Sequence, residues 1–377
     1  MKKYFVLAAA ALVALTACTK MEVANTPDTL KKISFEVANY SVQTKADYQD
    51  GGLLKEGYNQ FNTYAWYIPS SGSAQTFMNN ELIKYKTDFW GADDDYFWPK
   101  TGYVNFFSYA GTGTPTYSDN GATVTYSNKT ITSADNYLLA DAAYRYTANV
   151  TSSTNGDAYG KDGITEGVPT MFRHLLSRVN FTVKLATAAA NESANTTWVV
   201  EILNADTKLS NIVVKKTGTL VMKAADPGSK GTVQYAPEAE SAYATAYRWV
   251  AATGESTTET VSFLTPTMTM DVDTHETTAV SLLDERTMMP QLTNAIDFTL
   301  NYKVTAKHGD VAFMEENLTV TKKLDQLVST ALASWNMNTK ITYNVIIDPV
   351  TQKVRFDPAV ESWSSETARD INVPVSE

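Results

Sequence analysis

Alternation of apolar and polar residues with a period of two restricts this chain more than any other feature. Ile33, Phe35 and Val37 alternate with Lys32, Ser34 and Glu36, which sets three apolar side chains on one face of an extended segment. Tyr40 and Val42 carry the alternation on, shifted by one residue, as a bulge near Ala38 and Asn39 would produce. The pattern predicts further strands over Phe61–Ile68, Glu81–Thr87, Tyr103–Tyr109, Thr123–Tyr126 and Tyr137–Tyr146. It returns over Arg178–Leu185, Trp198–Leu203, Asn211–Val221, Thr260–Leu264, Ile296–Thr305, Asn317–Lys323, Ile341–Ile347 and Lys353–Phe356. Gly, Asn, Asp, Ser and Pro punctuate these runs, as turn chemistry requires. Only Asp325–Ala333 spaces its apolar residues (Leu327, Val328, Ala331, Leu332) for a short helix. Many short strands separated by turns indicate an all-β chain of two sandwiches in tandem. A Ser/Thr/Asn/Gly-rich stretch from Asn149 to Gly160 places the boundary near Gly163–Pro169, giving sandwiches over 31–168 and 169–377.

The chain has one cysteine, so no intrachain disulfide can form and the core must carry the stability. That cysteine, Cys18, follows Lys2, Lys3, an apolar run from Tyr4 to Ala14, and Leu15-Thr16-Ala17. The run is too short to span a bilayer, and the whole has the form of a lipoprotein signal over 1–17 with Cys18 as the lipidated residue. A thioether to diacylglycerol needs a thiol at that position, and acyl chains anchor at about 0.8 kcal/mol per buried methylene. Residues 18–30, polar and containing Pro27, suit a flexible tether between lipid and fold. Asp28-Thr29-Leu30 has the form of a short O-glycosylation site or of ordinary tether. Cleavage removes Lys2 and Lys3 and makes a formal charge of −10 more negative still, which excludes nucleic-acid binding through the net field.

Catalytic signatures are missing from the sequence. It holds no His-Glu-x-x-His, no Gly-x-Ser-x-Gly and no phosphate-binding glycine loop. His174, His275 and His308 are far apart, and His174 reads as a structural histidine at a domain junction. Asp93-Asp94-Asp95 lacks the spacing of a calcium loop and reads as a solvated turn. Asp271, Asp273, His275 and Glu276 alternate on a polar loop or edge strand without a further ligand set. No metal and no cofactor is implied. Trp66, Tyr67, Trp90, Phe97, Trp98, Tyr103, Phe106, Phe107 and Tyr109 crowd the first half. Exposed, they would stack on sugars; at period two beside turns, they read as core.

Taken in order, several segments resemble the fimbrillin family, the type V pilus subunits and their Mfa-like relatives. These are Phe61–Ile68 (FNTYAWYI), Tyr96–Gly111 (YFWPKTGYVNFFSYAG), Met171–Leu185 (MFRHLLSRVNFTVKL), Arg286–Gln291 (RTMMPQ), Trp335–Asp348 (WNMNTKITYNVIID) and Val354–Trp363 (VRFDPAVESW). The resemblance implies two transthyretin-like β-sandwich domains, export as an outer-membrane lipoprotein, assembly with other pilus subunits at the cell surface, and no catalysis.

It also implies a maturation step in which a protease removes the first strand after a basic residue, and a neighbouring subunit donates a replacement. Here Ile33, Phe35 and Val37 would be lost by cleavage between Lys45 and Ala46. The chain departs from arginine-cleaved pilins, since no arginine precedes Arg145; Lys45 reads equally as a maturation site or a loop lysine. In the tail, Ile371, Val373 and Val375 lie at period two. Residues 370–377 are therefore a candidate donor strand, or an edge strand of the C-terminal sandwich, where Pro374 is tolerated. The competing functional reading is an adhesive or carbohydrate-binding surface lipoprotein, at a pilus tip or alone, with a host or bacterial surface ligand.

Overall fold

The computed structural model describes residues 32–39, 52–55, 57–87, 89–118, 123–140, 143–146, 167–187, 195–204, 206–221, 234–235, 246–251, 258–271, 274–327 and 333–362. The period-two segments form strands, and so do several that alternation does not mark.

An eight-stranded sheet holds most of the first half. Its order is β2 (Gln60–Ile68), β3 (Gln75–Lys86), β4 (Phe89–Ala92), β1 (Phe35–Asn39), β10 (Val168–His174), β8 (Tyr137–Ala140), β5 (Tyr103–Gly111) and β9 (Ala143–Tyr146). Strand β2 pairs with β5 as well as with β3, from Asn62↔Tyr109 to Ile68↔Tyr103. That second pairing joins distant parts of the sheet, so its inner faces meet around one core. Phe35, Phe61, Ile83, Trp90, Trp98, Phe106 and Phe172 fill it.

The second half is a sandwich. One sheet has the order β19 (Val280–Met288), β11 (Ser177–Leu185), β24 (Thr339–Asp348) and β25 (Lys353–Ser362). The other runs β17 (Thr258–Ser262), β13 (Lys208–Val213), β21 (Asp297–His308), β12 (Thr196–Ile202) and β18 (Thr267–Met270), with β22 (Val311–Lys323) on the remaining side of β21. Inward residues alternate as a half-buried strand demands: Val179, Phe181, Val183 and Leu185 on β11 face Phe298, Leu300, Tyr302 and Val304 on β21. Phe181 stacks on Tyr343 within its own sheet at 4.5 Å and on Phe298 of the other at 5.9 Å.

A five-stranded sheet joins the two halves. Its order is β15 (Gln234–Tyr235), β16 (Ala246–Ala251), β14 (Lys215–Val221), β7 (Thr123–Thr130) and β6 (Thr116–Ser118). Gly218 on β14 is needed for packing, because a Cβ there would lie 2.0 Å from the Tyr247 hydroxyl. Beneath this sheet a third core combines Trp66, Phe107, Tyr126, Tyr137, Leu175, Trp249 and Met337. The Trp249 indole N–H donates to the Leu175 carbonyl, tying β16 to the turn that follows β10. A small ladder, β20 (Gln291–Leu292) with β23 (Ser334–Trp335), completes the strands. The helix predicted over Asp325–Ala333 is in the described part a single 3₁₀ turn, Leu324–Leu327. Among the described residues no helix is long and apolar enough to cross a membrane.

Candidate functional site at the first strand

Ile33, two residues before strand β1, and Phe35 and Val37 within it are all buried, between 2% and 7% exposed. The Phe35 ring meets Phe61 edge-on at 5.6 Å and Phe106 at 5.7 Å. A short helix, α1 (Gly52–Lys55), packs against β1 with Leu53 fully buried in the same core. Burying three such side chains is worth on the order of 5–9 kcal/mol, an upper figure because the unfolded chain buries some of this surface already.

Alternation alone does not say whether such a segment lies at an edge or inside a sheet; the structure places β1 inside, between β4 and β10. It runs parallel to β10, from Phe35↔Val168 to Asn39↔Phe172, and antiparallel to β4 at Phe35↔Trp90. The reason lies in its partner β10, whose Val168, Thr170, Phe172, Arg173 and His174 are all buried, apolar, polar and charged alike, so that it shows no apolar–polar alternation to read. The Val168 N–H donates to the Ser34 carbonyl at 2.7 Å. In a parallel ladder this bond fixes the rest: Ser34, Glu36 and Ala38 turn their backbone groups toward β10, while Phe35 and Val37 turn theirs toward β4. Gly167 makes the entry possible. Its φ is +121°, and a Cβ there would sit 2.9 Å from the Phe35 carbonyl carbon. Before the strand, the Ile33 N–H donates to the Tyr96 carbonyl at 2.8 Å, and Lys32 pairs with Asp95 at 2.7 Å.

Cys18, Lys45, Ala46, Ile371, Val373 and Val375 lie outside the described residues. Among the described residues the last strand, β25, pairs with β24 alone, and it carries Pro358 opposite Tyr343.

Of the other sequence-marked groups, Asp273 also lies outside the described residues. His174 is buried where the two halves meet: its ring Nδ1 lies 2.7 Å from Asn136 Oδ1, and its backbone N–H donates to Asn338 Oδ1 at 3.1 Å. His308 stacks on Phe313 at the tip of the β21–β22 hairpin. Asp93 is bonded by Lys84, which with Lys86 holds its carboxyl below the usual range. Glu276 is likewise held low by Lys184, and Asp271 accepts from Thr197. These pairings bring no ligand set together. Among the described residues no group of three or more His, Cys, Asp or Glu is placed to hold a metal ion. Of the crowded aromatics, Phe97 and Tyr103 are half-buried and the rest are core. What sequence reading missed is the lining of the β1 groove: Gly167, Leu53 and Phe172, each set by tertiary pairing rather than by a local pattern.

No protein-family model matches the sequence, and no curated protein does. The fold is similar to that of a fimbrial protein from Bacteroides vulgatus, at 17% identity and a TM-score of 0.48, over 88% of this chain and 99% of that one. A candidate cell adhesion protein from Bacteroides uniformis is similar at 13% identity and 0.42, over 90% and 100%. The fimbrial anchor protein Mfa2 from Porphyromonas gingivalis is similar at 11% and 0.27, over 89% and 98%. These are likenesses of fold, and the words fimbrial, adhesion and anchor describe those proteins.

Proposed function

We propose that this chain is a non-enzymatic structural subunit of a fimbrillin-type fimbrium. It is exported as an outer-membrane lipoprotein through Cys18 and assembled at the cell surface by exchange of its first strand. The observation that carries the reading is β1 itself. A five-residue strand inserted between two others, together with Ile33 just before it, fills a hydrophobic groove with Ile33, Phe35 and Val37. Take it away, and β4 and β10 face each other across unpaired backbone and an empty aromatic pocket, a template for an incoming strand. Lys45 lies six residues beyond the end of this strand, so a cut there would free it from the rest of the fold.

The groove also sets terms for the donor. A tail laid with Ile371, Val373 and Val375 over the places of Ile33, Phe35 and Val37 brings Pro374 to the place of Glu36. The Glu36 N–H points at β10, and proline has none to give. One ladder bond of roughly 0.5–1.5 kcal/mol is forfeited and a buried carbonyl loses its donor. Valine at the Phe35 place leaves part of the aromatic pocket open. The tail serves as donor only if its other contacts outweigh this.

The decisive experiment is the mass and N-terminal sequence of the protein recovered from cell-surface fimbriae. A mature chain beginning at Ala46 without lipid supports the reading. A lipidated chain beginning at Cys18, monomeric and absent from any fibre, overturns it in favour of a free surface lipoprotein.

A further inference from the structure

A second interaction surface lies far from the β1 groove, on β22. This strand pairs with β21 along its whole length, from Asp297↔Lys323 to His308↔Val311. Among the described residues its other edge pairs with no strand. Thirteen residues of open edge with neither proline nor glycine are unusual, because such an edge invites pairing with another chain. The charges on it are arranged in an unusual way too. Glu315 and Glu316 precede Thr319 by four and three residues, and Lys322 and Lys323 follow it by three and four.

We infer that two copies of this chain pair edge to edge through β22, antiparallel and centred on Thr319. In that register Glu315 lies opposite Lys323 of the second copy, Glu316 opposite Lys322, Asn317 opposite Thr321 and Leu318 opposite Val320, each pair occurring twice about the two-fold axis. A parallel pairing in register would set glutamate on glutamate and lysine on lysine, which is disfavoured. Only a self-complementary patch supports a two-fold contact, and this one is self-complementary in charge and in apolar content. Leu318 and Val320 are half-buried on the face that packs against the C-terminal core. Pairing brings the two copies' Leu318 and Val320 together and continues that core across the axis. The pairs that Glu315 and Lys323 now make, to Lys303 at 3.6 Å and Asp297 at 2.7 Å, are solvent-exposed and cost little to rearrange. The β1 groove takes no part, so the inference stands apart from any maturation step.

The test uses the full chain with Cys18→Ser, which removes the native thiol. Sedimentation across a concentration series should show a monomer–dimer equilibrium. Lys322→Glu with Lys323→Glu, and separately Glu315→Lys with Glu316→Lys, should each weaken self-association at least about tenfold; mixed, the two variants should recover a heterodimer. Added Thr319→Cys should yield a covalent dimer on mild oxidation, because directly opposed Cα atoms at roughly 4.5–5.5 Å fall within disulfide reach. Val311→Cys should not. A chain that stays monomeric at all concentrations, as it would if its own segment covered β22, overturns the inference. So does a dimer indifferent to the charge reversals, or one crosslinked as readily at 311 as at 319.

Discussion

Replacing Phe35 with alanine tests whether β1 is the keystone of the first core. The ring is 3% exposed and meets Phe61 and Phe106 edge-on, with no polar partner to compensate its loss. Truncating a buried phenylalanine costs about 3–5 kcal/mol, the upper part of that range applying where rigid neighbours cannot close the cavity. Phe61 is such a neighbour, wedged against Trp90 and Phe172. At 1.36 kcal/mol per factor of ten, the loss amounts to roughly two to three and a half orders of magnitude in local opening. Native-state amide hydrogen exchange reads this directly. Protection should fall by that factor at β1 and, through the parallel ladder, at β10. Strand β24, in the other sandwich, should keep its protection. A fall of less than about tenfold at β1 would show that Phe35 does not hold the strand in place, and the groove argument would go with it.

Two further outcomes follow from the same geometry. Gly167→Ala forces a positive φ on a residue with a Cβ and drives that carbon into the backbone of Phe35; strain of about 1–3 kcal/mol should appear as a lowered thermal midpoint and faster exchange at β1. A midpoint equal to wild type would refute the close approach. Alkaline pH should unfold the third core: burial, with a smaller push from Asp135, raises the Tyr137 hydroxyl to about 12, and burial holds Tyr117 and Tyr126 well above their ordinary value. The folded state thus favours the protonated phenols, so their contribution is complete below the ordinary tyrosine pKa of about 10 and is lost as pH rises through the folded values. Phenolate absorbance from these residues should emerge together with loss of β-sheet circular dichroism, and full ionisation of an intact fold near pH 11 would contradict the burial.

The legible parts of this fold are those where one strand face is wet. Gln60–Ile68, Ser177–Leu185, Thr196–Ile202 and Thr339–Asp348 alternate clearly and were readable within a residue or two. Strands buried on both faces gave no such pattern. Val168–His174, with proline at its second position after a turn-rich stretch, was not marked, whereas Tyr137–Tyr146 was marked as one strand and forms two, Tyr137–Ala140 and Ala143–Tyr146. Val280–Met288 hides its period behind register shifts against β11. Asn211–Val221 read as one strand and is two, broken at Val214 because β13 and β14 serve different sheets. At the candidate site, the three side chains that fill the groove were visible as a triplet. The central position of their strand was not, because it depends on a partner far along the chain.

That distance governs how the protein reaches its native state. Phe35 cannot find its ladder partner Val168 until roughly 130 residues more have been made, and the parallel pairing of β11 with β24 spans a still longer separation. Closing loops of that length before any contact rewards them is slow. The first apolar segment therefore stays without its parallel partner until β10 is available. Until the two meet, the place between β4 and β10 lacks the strand that fills it. A holding factor that shields β4 and β10 in this interval would act on folding, and folding rate rather than final stability is where its absence would be felt.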